Sequence, residues 1–254
     1  NVRFPWLDLG ARGWDELHFD LRHLDRTTPH LSFTEAELER GRELLRSLGV
    51  EPGAPFVCLS VRDEAYLSQR VPTKDWTYHD YRDSDIATYG GLAQTLADAG
   101  LTVLRMGAVV AAPLVSSDPR VIDYASSGLR SDFGDVYLFA HCSMSISSST
   151  GVDSLAMAFR RRMGIVNLPG TGGLQLGQSL RLVMFKDLVD LATGEPLALL
   201  DARRPEAMAA YRTDTFAGLG VRLVGNSPEQ LAAFGREMLL MAAGGWHIGE
   251  DEQA

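Results

Sequence analysis

The sequence predicts an α/β fold in which a mainly parallel sheet carries helices on both faces. Short and almost wholly apolar runs, such as residues 56–61, are typical of strands that are buried on both sides. These runs alternate with segments that have the length and apolar spacing of helices, as in successive β-α-β units. A hydrophobic fraction of 45% in 254 residues is ordinary for a globular protein with a substantial core.

The first helix is predicted to begin close to residue 32. Ser32 or Thr34 can cap it, and acidic residues fill its first turn. Gly49 is the expected end of this helix. The last helix begins with Ser227 at the N-cap and Pro228 at the first helical position, which together form a strong start signal.

The remaining elements follow from the same two patterns. Strands are predicted at the short apolar runs, which are residues 56–61, 101–107, 121–124, 145–146, 164–169 and 221–224. Helices are predicted at the longer periodic segments, which are residues 86–99, 133–142, 152–160 and 228–242. Residues 62–85 form a long polar and aromatic loop, and residues 182–187 fit either a strand or a loop.

The net charge and the hydropathy of the sequence argue against several classes of function. The net charge of −9 argues against broad binding to nucleic acid or to anionic membranes, which favour basic surfaces. No apolar run reaches the roughly 18 residues of a membrane span, and no signal peptide is recognised. Cys58 and Cys142 lie in or beside predicted apolar segments, which predicts buried thiols and fits a reducing cytoplasm.

The most informative segment is the hydroxyl turn, residues 147–151, which connects a predicted strand to a predicted helix. Free N–H groups at a helix N-terminus, with the positive end of the helix dipole behind them, favour a phosphate group. Hydroxyl groups add donors, and glycine permits close approach to the backbone. The sequence therefore predicts that phosphate binds at Ser148, Ser149, Thr150 and Gly151. Asp153 holds a ribose or sugar hydroxyl group, or else caps the helix.

Three arginines lie at the ends of predicted elements. Arg62 follows the first strand, Arg105 is near the end of the second, and Arg130 precedes a helix. Ligands of parallel sheets bind beyond the carboxyl ends of the strands, so these side chains are candidates for phosphate or ribose contacts. The alternatives are a surface ion pair of Arg62 with Asp63 or Glu64, solvation of the sheet end by Arg105, and simple helix capping beside Arg130.

Candidates for a general base are Asp63 and His79, with Asp80 or Asp83 orienting the imidazole. The Asp83-Ser84-Asp85 triplet is similar to the Asp-x-Asp motif of metal-dependent sugar transferases. Capping is the favoured interpretation, because the triplet lies at a predicted helix start.

Several common motifs are missing from the sequence. A Gly-x-Gly-x-x-Gly fingerprint and a P-loop are absent, which disfavours hydride-transfer enzymes and nucleoside triphosphatases. No cluster has zinc spacing, and no Gly-x-Ser-x-Gly elbow is present.

Taken together, the segments resemble a family of bacterial proteins classed as glycosyltransferases. The resemblance is carried by six ordered blocks, which are residues 61–63, 79–86, 105–107, 130–135, 150–154 and 226–229. More distantly, Arg62, Arg130 and residues 147–154 resemble the donor half of fucosyltransferase-type GT-B enzymes.

The resemblance implies that residues 51–254 form a Rossmann-like domain like the C-terminal, nucleotide-sugar-binding half of a GT-B enzyme. Residues 1–50 are then an N-terminal extension or linker plus a helix, too short for the second Rossmann-like domain that supplies the acceptor side. The implied partners are a nucleotide-sugar donor and an unknown acceptor, which is a glycan, a lipid-linked sugar or a small molecule. No cofactor and no metal are expected, because arginines and helix N–H groups neutralise the leaving diphosphate.

Two other functions fit the same scaffold. One is a different enzyme, such as a sugar-nucleotide epimerase or a pyruvyl transferase, and the other is a non-catalytic nucleotide-binding module. Product analysis separates them, since an epimerase needs no acceptor and a binding module gives no turnover.

Overall fold

A six-stranded parallel sheet forms the centre of the structure, a computed structural model that describes Leu24 and residues 26–170, 181–197 and 210–245. The strand order is β3-β2-β1-β4-β5-β6, and every neighbouring pair is parallel. The strands are β1 (Phe56–Ser60), β2 (Thr102–Met106), β3 (Val121–Ile122), β4 (Met144–Ser147), β5 (Arg162–Leu168) and β6 (Arg181–Phe185). A separate antiparallel pair consists of β7 (Asp187–Asp190) and β8 (Val221–Val224).

Helices connect the strands. The α-helices are α1 (Glu35–Ser47), α2 (Ala65–Arg70), α3 (Gly90–Asp98), α4 (Asp132–His141), α5 (Asp153–Ala158), α6 (Thr213–Gly218) and α7 (Pro228–Ala242). Single-turn or short 3₁₀ helices occupy Thr77–Arg82, Ile86–Tyr89 and Tyr124–Ser126. Among the helices described, none is long and apolar enough to cross a membrane.

Both faces of the sheet are covered, which confirms the predicted α/β fold. Side chains alternate along β1, so Val57 and Leu59 enter one core while Phe56 and Cys58 enter the other. The first core lies under α3 and α7, and the second lies under α1, α4 and α5. Cys58 and Cys142 are free, buried thiols, as predicted.

The predicted helix starts are confirmed at both ends of the described chain. Thr34 rather than Ser32 caps α1, and its hydroxyl and the Glu37 carboxylate form a reciprocal capping box. Ser227 caps α7 in the same way with Gln230, and Pro228 is at the start of that helix. Satisfying the first N–H groups in this way fixes where each helix begins.

Three predicted segments differ in detail from the structure. The predicted loop over residues 62–85 contains α2 and the 3₁₀ helix Thr77–Arg82. The helix predicted over residues 86–99 begins as a 3₁₀ turn, where the Asp85 carboxylate accepts a hydrogen bond from the N–H of Ala87. Of residues 182–187, predicted to fit either a strand or a loop, the first four belong to β6, and Lys186 separates that strand from β7 in the other sheet.

Helix α1 packs closely against α4, although the sequence analysis places it in the N-terminal unit. A Cβ atom built on Gly41 would overlap the ring of Tyr137 in α4. Leu48 and Val50, which follow α1, are buried in the same core as Phe56. The helix therefore helps to cover one face of the central sheet.

The order of the strands reverses between β1 and β4. The chain runs from β1 outward to β2 and β3, then crosses back to β4 and continues to β5 and β6. Connections on the two sides of this switch point diverge, which leaves a crevice beyond the carboxyl ends of β1 and β4. The residues that follow Ser60 and Ser147 therefore face each other across that crevice.

Gly41→Ala is expected to lower the free energy of unfolding by about 1–3 kcal/mol, since the added methyl group displaces the Tyr137 ring. Gly91→Ala in α3 is the matched control, because its Cβ would lie 3.6 Å from the Pro228 carbonyl oxygen, an ordinary contact. That control is expected to raise the free energy of unfolding by about 0.5 kcal/mol through helix propensity. Urea unfolding of both variants measures the difference, and equal effects would contradict the close packing of α1.

Candidate functional site

The hydroxyl turn is connected directly to the end of β1. The N–H of Arg62 donates a hydrogen bond to Ser148 Oγ at 2.7 Å, and the N–H of Ser148 donates to the carbonyl oxygen of Ser60 at 3.0 Å. These two bonds cross the switch point between β1 and β4. The structure thus brings Arg62 and the turn together, as the sequence analysis expected.

The N–H groups of the turn are mostly used within the protein. Besides Ser148, Ser149 donates to Ser147 Oγ at 3.2 Å and Thr150 donates to Asp153 Oδ2 at 3.0 Å. The prediction that the N–H groups of residues 148–150 are free is therefore wrong. Within the described part of the chain, the N–H groups of Gly151 in the turn and of Val152, which follows it, form no hydrogen bond. The helix behind them, α5, has only six residues, so its dipole is weaker than predicted.

Ser149 has a left-handed backbone conformation with φ of 61°. Such a conformation costs a non-glycine residue roughly 1 kcal/mol and is common at functional sites. It orients the carbonyl oxygen of Ser149 so that Arg82 Nη2 donates a hydrogen bond to it at 2.9 Å. The turn is thereby fixed from two sides, by Arg82 and by the end of β1.

Asp153 faces back onto the turn. Its carboxylate accepts hydrogen bonds from both the N–H and the hydroxyl group of Thr150, at 3.0 and 3.1 Å. The side chain is buried, and burial raises the pKa of the carboxyl group to about 6 despite these bonds. Asp153 therefore does not cap α5, which has Val152 at its N-cap and no side-chain cap; its carboxylate instead rigidifies the phosphate-binding candidate at residue 150.

Arg62 is largely buried and lies beside Asp83. The distance between Arg62 Nε and Asp83 Oδ1 is 3.4 Å, so the partner is neither Asp63 nor Glu64. Burial and the neighbouring Arg82 lower the pKa of Arg62, although a guanidinium group stays charged at neutral pH. The Arg62 cation is therefore incompletely compensated by the protein.

Arg82 is a site residue that the sequence analysis missed, although it lies in the 79–86 block that carries the family resemblance. The charges of Arg82 and Arg62 repel each other. Burial is the largest cause of the lowered pKa of His79, and these two arginines, Lys74 and Arg212 lower it further. Four cations thus act on the segment around His79 in a protein whose net charge is −9, and Arg62 and Arg82 among them contact the crevice or the hydroxyl turn. A local positive potential of this kind attracts an anionic ligand.

A cavity of about 360 Å³ opens at the carboxyl ends of β1 and β2. Its walls are mainly apolar, with Arg62, Arg130, Thr150 and Gly151 among the residues that line it. Arg130 is ion-paired with Asp135 at 2.5 Å and with the exposed Asp132 at 2.7 Å. Ser131 caps α4, as the alternative interpretation of this segment predicted.

Arg105 lies beneath the crevice and does not line the cavity. Its side chain is 0% exposed, and its guanidinium nitrogens are 3.8 Å from carboxylate oxygens of Asp63 and Asp123. Asp63 in turn accepts hydrogen bonds from the N–H groups of Ala65 and Ala111. This buried group therefore holds the loop after β2 against the end of β1.

His79 lies on the 3₁₀ helix Thr77–Arg82, in a row of aromatic side chains. Its ring centroid is 4.1 Å from that of Tyr78, and Nδ1 is buried with no hydrogen-bond partner among the described residues. In the part of the chain that the structure describes, neither Asp80 nor Asp83 forms a hydrogen bond with the imidazole. Burial, and then the cations around the ring, lower the pKa of the imidazole.

The Asp83-Ser84-Asp85 triplet is divided between two roles. Asp85 caps a 3₁₀ helix, as the capping interpretation predicted, whereas Asp83 pairs with Arg62. Lys186, which sequence reasoning also missed, donates from Nζ to the Asp83 carbonyl oxygen at 2.7 Å, and burial lowers its pKa to about 8.

No group of three or more His, Cys, Asp or Glu side chains suited to a metal ion occurs among the described residues.

A buried polar network lies at the end of β5. Asn167 and Asn226 exchange two hydrogen bonds, each from the N–H of one to Oδ1 of the other, at 2.8 and 2.6 Å. Asn167 also donates from Nδ2 to the Tyr89 hydroxyl group at 2.8 Å. The pairing connects residues 59 positions apart, so no local pattern in the sequence signals it.

Comparison with known proteins gives a limited result. No family model and no curated protein matches the chain. Among solved structures, it is similar to ADP-heptose LPS heptosyltransferase II of E. coli, with a TM-score of 0.44 and 14% sequence identity. The match covers 85% of this chain and 54% of that protein, so the chain spans about half of its length.

Asp153→Asn is expected to change how stability depends on pH. Because the native pKa of about 6 is above the ordinary value of 3.8, the carboxyl group stabilises the fold below pH 3.8, and this contribution is lost as pH rises through 6. The difference corresponds to about 3 kcal/mol. The free energy of unfolding of Asp153→Asn should therefore rise relative to the wild type between pH 4 and pH 7.

The exposed Asp132→Asn is the control, and it should show no such relative rise. Denaturant unfolding at several pH values gives the comparison. Parallel profiles of wild type and Asp153→Asn would show that burial does not raise this pKa.

Proposed function

We propose that this chain binds the nucleotide-sugar donor of a glycosyltransferase, with the diphosphate at the hydroxyl turn between Arg62 and Arg82. The observation that carries the proposal is the pair of neighbouring guanidinium groups beside the turn at the strand switch point. In parallel α/β sheets, this is the place where ligands bind. The resemblance of the six sequence blocks to glycosyltransferases supports a nucleotide-sugar, rather than a nucleotide alone, as the ligand.

The diphosphate fits the charges of the site. Burial and then the charge of Arg82 lower the pKa of Arg62, and an anion between the two guanidinium groups would replace their repulsion by two charge-assisted contacts. The open N–H groups of Gly151 and Val152 supply further donors on the same side of the turn. Positive charges and N–H donors of the protein would thus neutralise the negative charges of the diphosphate.

The nucleoside fits the apolar cavity. A volume of about 360 Å³ is within the usual range for small-ligand pockets, roughly 300–1,000 Å³. Val61, Met106 and Phe139 provide apolar walls, and the Arg130–Asp135 pair provides polar groups. Thr150 and Gly151 line the cavity as well, so one ligand can contact the cavity and the turn together.

Chemically, the site stabilises a leaving group. Breaking the bond between the sugar and the diphosphate increases the negative charge on the bridging oxygen. Donors that are fixed before the reaction stabilise this charge without reorganising, and Arg82 is fixed by its bond to Ser149. In this proposal the arginines neutralise the diphosphate, which is the task a divalent cation performs in other transferases.

Arg62→Ala and Arg82→Ala are each expected to weaken nucleotide binding by about 10- to 100-fold, the effect of losing one charge-assisted contact. Isothermal titration with UDP, GDP, ADP and CDP, and with their sugars, identifies the base and measures the loss. The control is Arg42→Ala on α1, whose partners are Glu35 and Glu39 and which should leave binding unchanged. Absence of binding by all these nucleotides to the folded wild-type chain would refute the proposal.

A further inference from the structure

We infer that Asp83 accepts the proton of the attacking hydroxyl group, and that the acceptor enters through a second cavity beside it. This inference rests on the proposed function. The second cavity has a volume of about 460 Å³ and is lined by Glu64, Ser68, Lys74, Trp76 and Asp80 as well as Asp83. It is distinct from the cavity that is proposed to hold the nucleoside.

Asp83 connects the two sides of the site. Oδ1 faces Arg62 at 3.4 Å, and this oxygen is buried and accepts no hydrogen bond from the described residues. The side chain is nevertheless 21% exposed and contributes to the wall of the second cavity. A single carboxylate therefore contacts the arginine that is proposed to bind the donor and the space that is open to an acceptor.

The two bases proposed from the sequence are placed less favourably. Both carboxylate oxygens of Asp63 already accept backbone hydrogen bonds, from Ala65 and Ala111, and Asp63 does not line the second cavity. His79 lines neither of the two cavities, and its ring lies within the aromatic row. Asp83 Oδ1, by contrast, accepts no hydrogen bond from the described residues, and Asp83 lines the second cavity.

The charges around Asp83 come from several elements. Arg62 faces it from the end of β1, and Lys186 from the segment between β6 and β7. Asp80 on the 3₁₀ helix and Glu64 before α2 add negative charge. Burial is the largest influence and raises the pKa of Asp83 to about 6, close to the range in which a general base works best at neutral pH.

The lining of the second cavity indicates the chemical class of the acceptor. Carboxylates and hydroxyl side chains, such as Glu64, Asp80 and Ser68, pair with hydroxyl groups of a ligand. Trp76 offers an aromatic surface, over which Lys74 Nζ lies at 4.2 Å. The excess of carboxylates disfavours an anionic acceptor. A neutral, hydroxyl-rich molecule such as a sugar fits this lining.

The step balances as a single displacement. The acceptor O–H bond breaks, its proton passes to the Asp83 carboxylate, and the acceptor oxygen forms a bond to the anomeric carbon of the donor. The bond from that carbon to the diphosphate breaks, and its electron pair leaves with the nucleoside diphosphate. Because the acceptor attacks the side opposite the leaving group, the anomeric configuration is inverted.

The test compares Asp83→Asn with the wild type, using the nucleotide-sugar that binds in the titrations, with water and methyl glycosides as acceptors. Release of nucleoside diphosphate is expected to fall at least 100-fold in kcat. Affinity for the nucleoside diphosphate should stay equal or increase, because the variant removes a negative charge beside Arg62. In the wild type, kcat should fall below about pH 6, and the residual activity of the variant should lack this fall.

Asp85→Asn is the matched control. It changes the other carboxylate of the same triplet, and asparagine still caps the 3₁₀ helix, so kcat should be unchanged. The inference would be overturned by any of three results. These are equal kcat in Asp83→Asn and wild type, retention of the anomeric configuration, and a loss of nucleotide affinity in Asp83→Asn that parallels a loss of folded protein. Failure of the wild type to bind any nucleotide would instead refute the proposed function.

Discussion

The site depends on the two hydrogen bonds that join Ser148 to the end of β1. They connect the Ser148 hydroxyl group with the N–H of Arg62, and the Ser148 N–H with Ser60. The connections that follow two parallel strands at a switch point diverge, so without such bonds the loops after β1 and β4 would separate. With them, the backbone that carries Arg62 and the hydroxyl turn form one rigid unit, and Arg82 and Asp153 complete its support.

The features that local chemistry determines were predictable from the sequence. Helix starts at Thr34 and Ser227 follow from capping, and the strands follow from apolar runs whose two faces are both covered. The association of Arg62 with the hydroxyl turn was also predictable, because carboxyl ends of parallel strands meet at one edge. A strand order of 3-2-1-4-5-6 then brings the ends of β1 and β4 next to each other.

The partners of individual polar groups were not predictable. The N–H groups of Ser149 and Thr150 are satisfied by side chains, and nothing in an apolar pattern shows this. Arg105 occupies the expected strand end but is buried against two carboxylates instead of entering the crevice. Such outcomes are set by which acceptors three-dimensional packing brings within reach, often from distant parts of the chain.

The charges of Arg62 and Arg82 would make the stability of the fold depend on an anion bound between them. Burial and then the charge of Arg82 lower the pKa of Arg62, so its cation is less favourable in the ligand-free native state than in the unfolded chain, although Asp83 lies beside it. An anion that binds the native state and not the unfolded chain removes this penalty and adds its own binding energy by mass action. The fraction of folded protein would then increase with the concentration of that anion, which would stabilise the fold as an additional internal contact does.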